Sequence, residues 1–138
     1  MCGIAGFCNW KGNWEKNIRK MNERMRHRGP DASGIWASDD QKVVMGHQRL
    51  SIVDLSENGA QPMQSHSGRF EIVFNGEIYN FKELKKELSD YPFKSNCDKE
   101  VIIAAYLKWG ISCMERLNGM FAIALYEDRK STRLNSSH

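Results

Sequence analysis

The stretch that most constrains this chain is its first, Met1-Cys2-Gly3-Ile4-Ala5-Gly6-Phe7. Residues 2–7 are short, apolar and punctuated by glycine, the pattern of a buried strand that lets another backbone come close at Gly3 and Gly6. Removal of Met1 would make Cys2 the N-terminal residue, so that one residue carries both a thiol and a free α-amine. These two groups titrate within about one pH unit of each other. The amine can then take the thiol's proton, directly or through a water, which gives a nucleophile with its base built in. The other reading of Cys2 is a small thiol without chemistry, and the residues downstream have to decide.

A chain of 138 residues is one domain by length. Its net charge is only +3, with acidic and basic residues interleaved, which gives no reason to expect nucleic acid or a charged membrane as partner. No apolar run approaches the ~20 residues of a membrane span. The start lacks the basic-then-apolar order of a signal peptide. A reducing, cytoplasmic compartment is the expectation. Cys2, Cys8, Cys97 and Cys113 make no C-x-x-C pair and no zinc spacing, so neither a metal site nor a disulfide is expected. Cys8 and Cys113 read as structural thiols, and Cys97 stays open because Asp98 follows it.

The periodicity alternates strands and helices. Residues 15–26 read as a helix with Ile18, Met21 and Met25 on one stripe, stopped by His27-Arg28-Gly29-Pro30-Asp31. Residues 33–37 and 41–47 read as two strands across a turn at Ser38-Asp39-Asp40. Leu50, Ile52 and Val53 mark a strand end entering a loop, and residues 57–62 read as loop. Residues 69–74 form a strand, and Asn75-Gly76 after it is a turn signal. Asn80 with Glu83 reads as a helix cap, and Phe81, Leu84 and Leu88 as the stripe of that helix. A deeply buried helix runs from Asp98 to about Trp109, and residues 120–126 form a further apolar strand. Residues 130–138 are polar and aperiodic, expected to be disordered or foreign sequence.

Among the polar residues, Arg49 suits a carboxylate through two parallel hydrogen bonds, or is a surface arginine. Asp98 suits an ammonium group, or simply caps a helix. Asn75 and Gly76 suit an oxyanion, through a side-chain amide and a backbone N–H, or form a plain hairpin turn. The His27–Asp31 corner is either a solvated loop or a support beside a pocket.

Several stretches, in order, decide between these readings. They are Met1-Cys2-Gly3-Ile4, His27-Arg28-Gly29-Pro30-Asp31, His47-Gln48-Arg49-Leu50-Ser51-Ile52-Val53-Asp54, Gly59-Ala60-Gln61-Pro62, Asn75-Gly76-Glu77-Ile78-Tyr79-Asn80 and Asp98-Lys99-Glu100-Val101-Ile102. The chain from residue 1 to about 127 resembles the class II (N-terminal nucleophile) glutamine amidotransferases, in particular the glutaminase domain of asparagine synthetases. One departure is Cys97, where the family usually carries serine; a thiol keeps the size and weakens the hydrogen bond.

The resemblance implies an α+β fold of the Ntn-hydrolase type, an αββα sandwich of two stacked antiparallel sheets. It implies Cys2 as nucleophile and, through its amine, base. Asn75 and Gly76 would form the oxyanion hole. Arg49, Leu50, Ser51, Ile52, Val53, Asn75, Gly76, Glu77 and Asp98 would line the glutamine site, with His27–Asp31 in a supporting role. It further implies L-glutamine as substrate and a separate C-terminal synthetase domain using ATP and magnesium, whose Ser-Gly-Gly-x-Asp-Ser loop is not in this sequence. No cofactor is expected in the domain itself, and a homodimer is compatible with the full-length form. On this reading residues 1–129 are an amidotransferase domain incomplete at its C-terminus, whose last strand offers an open apolar edge that invites association. Another class II amidotransferase with a sugar or phosphoribosyl acceptor, or a domain that binds glutamine without turnover, are the alternatives. The acceptor itself is not encoded here.

Overall fold

The glycine-punctuated start forms β1, Gly3–Cys8, in a computed structural model that describes residues 2–51, 59–94 and 98–128. It pairs antiparallel with β3, Val43–Arg49, whose other edge pairs with β2, Ala32–Ala37. The β2–β3 connection is the expected turn. Ser38 Oγ receives the Val43 N–H, Gln41 N–H closes on Ser38 O, and Asp40 accepts from Lys42 N–H. β3 runs two residues past the expected His47, which carries Arg49 onto the strand end. As the central strand it is buried from Val44 to Arg49, His47, Gln48 and Arg49 included.

A second three-stranded sheet has the order β4–β5–β6, with β4 Met63–Gln64, β5 Phe70–Ile78 and β6 Gly119–Glu127. The expected turn at Asn75-Gly76 is not there. Both residues lie inside β5, in unbroken register with β6: Asn75 opposite Ala122 and Gly76 opposite Phe121. Asn-Gly favours a turn because it tolerates positive φ locally. Here pairing with a strand more than forty residues away keeps the chain extended, and the positive φ survives only as Gly76 at +143°.

The two sheets stack. His47 Nε2 lies 3.3 Å from Phe74 O, and the rings of Trp36 and Tyr126 meet at 5.1 Å between centroids. α1, Trp14–Arg24, covers the outer face of the first sheet, packing on β1 and β3. Asn13 caps it by accepting the Lys16 N–H at 3.0 Å. The helix stops two residues earlier than its stripe suggested, at a Met25 cap. α2, Phe81–Glu87, and α3, Asp98–Trp109, cover the second sheet. This is the α+β arrangement of helix, sheet, sheet, helix that the resemblance implied.

α3 is the core of that second half, with Val101, Ile102, Ile103, Ala104 and Ala105 all buried against Ile72, Phe74 and Ile78. It continues as a 3-10 helix, Gly110–Arg116, which periodicity did not indicate. The expected capping box at Asn80 is not made. The Asn80 side chain instead donates to Arg116 O and accepts from Asn118 N–H, tying α2 to the entry of β6. β6 is the edge strand of its sheet among the described residues, with Met120 69% and Phe121 37% exposed. Residues 129–138 and Cys97 lie outside the described residues.

Candidate active site

The candidate site residues that are described lie toward one end of the sandwich, where β1 begins and β3 and β5 end. Cys2 immediately precedes the first paired residue of β1, Gly3 opposite Gln48. The half-buried sulfur accepts the Leu50 N–H at 3.3 Å and sits 3.6 Å from Leu50 O. The thiol is thus fixed against the backbone that leaves β3 just after Arg49.

The His27–Asp31 corner docks onto the same place. Arg28 Nε donates to the Cys2 carbonyl at 3.2 Å. Gln48 Nε2 donates to Gly29 O at 2.9 Å. Asp31 receives the Ser51 N–H on its carboxylate at 2.8 Å and returns its own N–H to Arg49 O at 2.9 Å. Gly29 makes this docking possible: a β-carbon there would lie 2.3 Å from Gln48 O, inside any allowed contact. The corner therefore clamps Cys2, Arg49, Leu50 and Ser51 into one unit.

Asn75, Gly76 and Glu77 lie in the second half of β5. Strand alternation turns Asn75 and Glu77 toward the first sheet, on the side of Val73, and Gly76 toward α3, on the side of Phe74 and Ile78. Asn75 Oδ1 is buried without a hydrogen-bond partner, while Glu77 is exposed. Asp98 begins α3, and its carboxylate accepts the Ile78 N–H at 2.9 Å. Burial raises the Asp98 carboxyl above its ordinary value, while the Ile78 N–H and the Lys99 charge pull it the other way.

His47 ties these groups together. It is 1% exposed, and burial lowers its pKa to about 4 against the carbonyl contact that favours its charged form. The charges of Lys99 and Arg49 add to the lowering. The end of β3 and the start of α3 thus approach the same histidine. The imidazole is neutral at neutral pH, and because a carbonyl only accepts, Nε2 carries its proton.

Cys2, Arg49, Leu50 and Ser51 are thus joined directly, and Asn75, Gly76, Glu77 and Asp98 form a second group on and beside β5. Ile52 and Val53 lie outside the described residues. Sequence reasoning assigned no specific contact to Arg28, Gln48, Gln61 or His47. The signal for them was their place inside the quoted stretches, since their partners are backbone atoms that only the fold brings near. Among the described residues no group of three or more His, Cys, Asp or Glu could hold a metal.

Comparison with known proteins gives the family and the fold. Residues 1–135 match the family described as glutamine amidotransferase domain. The chain is 42% identical to asparagine synthetase B [glutamine-hydrolyzing] of Escherichia coli, over 97% of this chain and 24% of that protein. It is 40% identical to asparagine synthetase [glutamine-hydrolyzing] 1 of Saccharomyces cerevisiae, over 97% of this chain and 23% of the relative. It is 37% identical to amidase chry2 of Gibberella zeae, over 94% and 21%. The chain spans less than a third of the length of these curated relatives. In fold it resembles the glutamine phosphoribosylpyrophosphate amidotransferase of Bacillus subtilis, with a TM-score of 0.69 at 19% identity over 91% of this chain and 34% of that one.

Proposed function

The chain belongs to the glutamine amidotransferase domain family, and from that premise we propose that it hydrolyses L-glutamine at Cys2 and releases ammonia for a separate synthetase unit. The observation that carries the reading is the placement of Cys2: a half-buried thiol held by Leu50 N–H, at the end of the sandwich that also holds Arg49, Asn75 and Asp98.

With Met1 removed, the Cys2 thiol passes its proton to its own α-amine and the thiolate attacks the side-chain carbonyl carbon of glutamine. The carbonyl π electrons move onto oxygen, which the Asn75 amide and the Gly76 N–H receive. Collapse breaks the C–N bond, and the leaving ammonia takes the proton from the α-ammonium group. Water, deprotonated by the same amine, attacks the γ-glutamyl thioester; glutamate leaves and the thiol is restored. Arg49 pairs with the α-carboxylate of the substrate and Asp98 with its ammonium group. Leu50, Ser51, Ile52, Val53 and Glu77 complete the lining. Ionised Asp98 is the form this pairing needs, and the Ile78 N–H and Lys99 favour it against burial.

The similarity to glutamine-hydrolysing asparagine synthetases favours aspartate as the eventual acceptor, activated with ATP and magnesium by a domain outside these residues. The cytoplasm is the compartment proposed; no helix among the described residues is long and apolar enough to cross a membrane.

The test is chemical. A diazoketone analogue of glutamine should label Cys2 and leave Cys8, Cys97 and Cys113 unlabelled by peptide mass. The intact mass should be lower by one methionine. Cys2→Ala should lose glutamate release while retaining glutamine binding. Full turnover with Met1 in place, or undiminished turnover by Cys2→Ala, would overturn the mechanism.

A further inference from the structure

β5 has two edges, and among the described residues only one is paired with a strand along its length. β6 covers the whole of the first. β4 covers the second only at Ile72 and Glu71. In an antiparallel ladder, alternate residues send N–H and C=O to opposite edges. Arg69 O receives Asp128 N–H and Tyr79 N–H reaches Asn118 O, both on the β6 side. The even-numbered residues therefore point to the other edge, and Phe70, which exchanges bonds with Ser65, confirms it.

Beyond β4 that edge is held by side chains. Gln61 Oε1 accepts the Phe74 N–H at 2.6 Å. His47 Nε2–H donates to Phe74 O at 3.3 Å. Asp98 takes the Ile78 N–H. Gly76 stands midway, with its N–H directed to the same edge. A strand in this position would consume that N–H and cover it, whereas side chains on the flanking residues fix the backbone and, among the described residues, put no strand against Gly76.

We propose that Gln61 and His47 are positioning residues, which hold the open edge of β5 so that the donors of Asn75 and Gly76 meet the developing oxyanion; this rests on the assignment of those two donors above. Both arms are rigid. Gln61 and His47 are buried. The Gln61 carbonyl is packed against Gly34, where a β-carbon would lie 1.7 Å away, and Gly34 is the cross-strand partner of His47. Phe74 is thus clamped at its C=O by His47 of the first sheet and at its N–H by Gln61, whose backbone packs on Gly34 of that sheet, one residue before Asn75. Such a clamp acts on the transition state and not on the ends of the substrate.

The experiment compares Gln61→Met and His47→Met, which keep bulk and lose the bond, with His47→Gln, which keeps an N–H donor near the Nε2 position. Three readouts separate positioning from general support: kcat and KM for glutamine, and the rate at which iodoacetamide alkylates Cys2, a displacement that needs no oxyanion donor. The two Met variants should lose roughly ten- to a hundredfold in kcat, the scale of a misplacement of about 1 Å. KM and the alkylation rate should stay within about twofold, and His47→Gln should recover most of the loss. Should the Met variants fail to fold, Gln61→Asn, which only shortens the arm, should show the same kcat loss. Folded variants with a lower melting temperature and unchanged kcat, or with the loss in KM alone, would overturn the proposal. Asn75→Ala is the control on its premise: retained kcat there refutes the oxyanion assignment itself. A loss there, with none in the Gln61 and His47 variants, refutes the clamp alone.

Discussion

Gly76→Ala is the substitution whose cost follows most directly from the backbone. Gly76 has φ +143°, a conformation that side-chain-bearing residues rarely adopt. A β-carbon built there lies 2.1 Å from Met120 O and 2.6 Å from Phe121 Cα. Both are backbone atoms of β6, so no rotamer change relieves them. The dihedral strain costs about 1–3 kcal/mol. Overpacking adds about 1–3 kcal/mol, moderated because β6 is an edge strand among the described residues and can shift. A total of about 2–6 kcal/mol corresponds to a fall in melting temperature of roughly 6–25 °C for a domain of this size. Thermal unfolding followed by circular dichroism, with glutaminase activity measured well below the transition, checks both consequences. Activity should fall as well, since prying β6 from β5 displaces the Gly76 N–H. A melting temperature within about 2 °C of the parent would show that β6 yields freely at this point, and the argument from close approach would fail.

Two further outcomes follow from single charges. Arg49→Ala and Asp98→Asn should each raise KM for glutamine, because a hydrogen bond to a charged group is worth about 1.5–3 kcal/mol, or roughly ten- to a hundredfold. Asn at position 98 can still accept the Ile78 N–H, so that variant isolates the charge from its structural bond; wild-type KM in both would mean the wrong residues at the substrate's backbone end. Glu71 lines a cleft at the opposite end of the sandwich, and burial pushes its pKa from 4.5 up to about 7. A raised carboxyl stabilises the fold fully below its unfolded value and loses that contribution as pH rises through about 7. The loss is at most about 3 kcal/mol, less where water reaches the cleft. Glu71→Gln should therefore flatten the stability–pH curve between about 4.5 and 7, and an unchanged curve from denaturant melts would refute it.

What the sequence disclosed depended on how local the cause was. α3 could be read to its ends because an apolar run from Val101 to Ala105, opened by Asp98 and closed before Gly110, is a local pattern with one outcome. The β2–β3 hairpin was equally legible, since Ser38 and Asp40 carry the hydrogen bonds of their own turn. The αββα stacking was not legible from periodicity and came only through the resemblance. Alternation says that His47 and Asn75 point out of their sheets, but not that the sheets face each other. The Asn80 cap failed for a related reason: its side chain found Arg116 and Asn118, partners supplied by a 3-10 helix that no periodicity announces.

Asn75-Gly76 shows the same competition at the site itself. As an isolated dipeptide it favours a turn, and a turn would also have offered an amide and an N–H to one point. In the strand, the same two residues do something a turn cannot. Asn75 keeps its place in a ladder of nine pairs with β6, so its direction is set by the register of a whole sheet. The alternation of that ladder sends the Gly76 N–H to the edge where β4 has already ended. The glycine is then needed for two reasons at once: the positive φ, and the approach of the Met120 carbonyl. A local signal for positive φ was therefore right about the residue and wrong about the element. On the proposed reading, these two donors owe their precision to the strand, and their availability to there being no neighbouring strand at that step among the described residues.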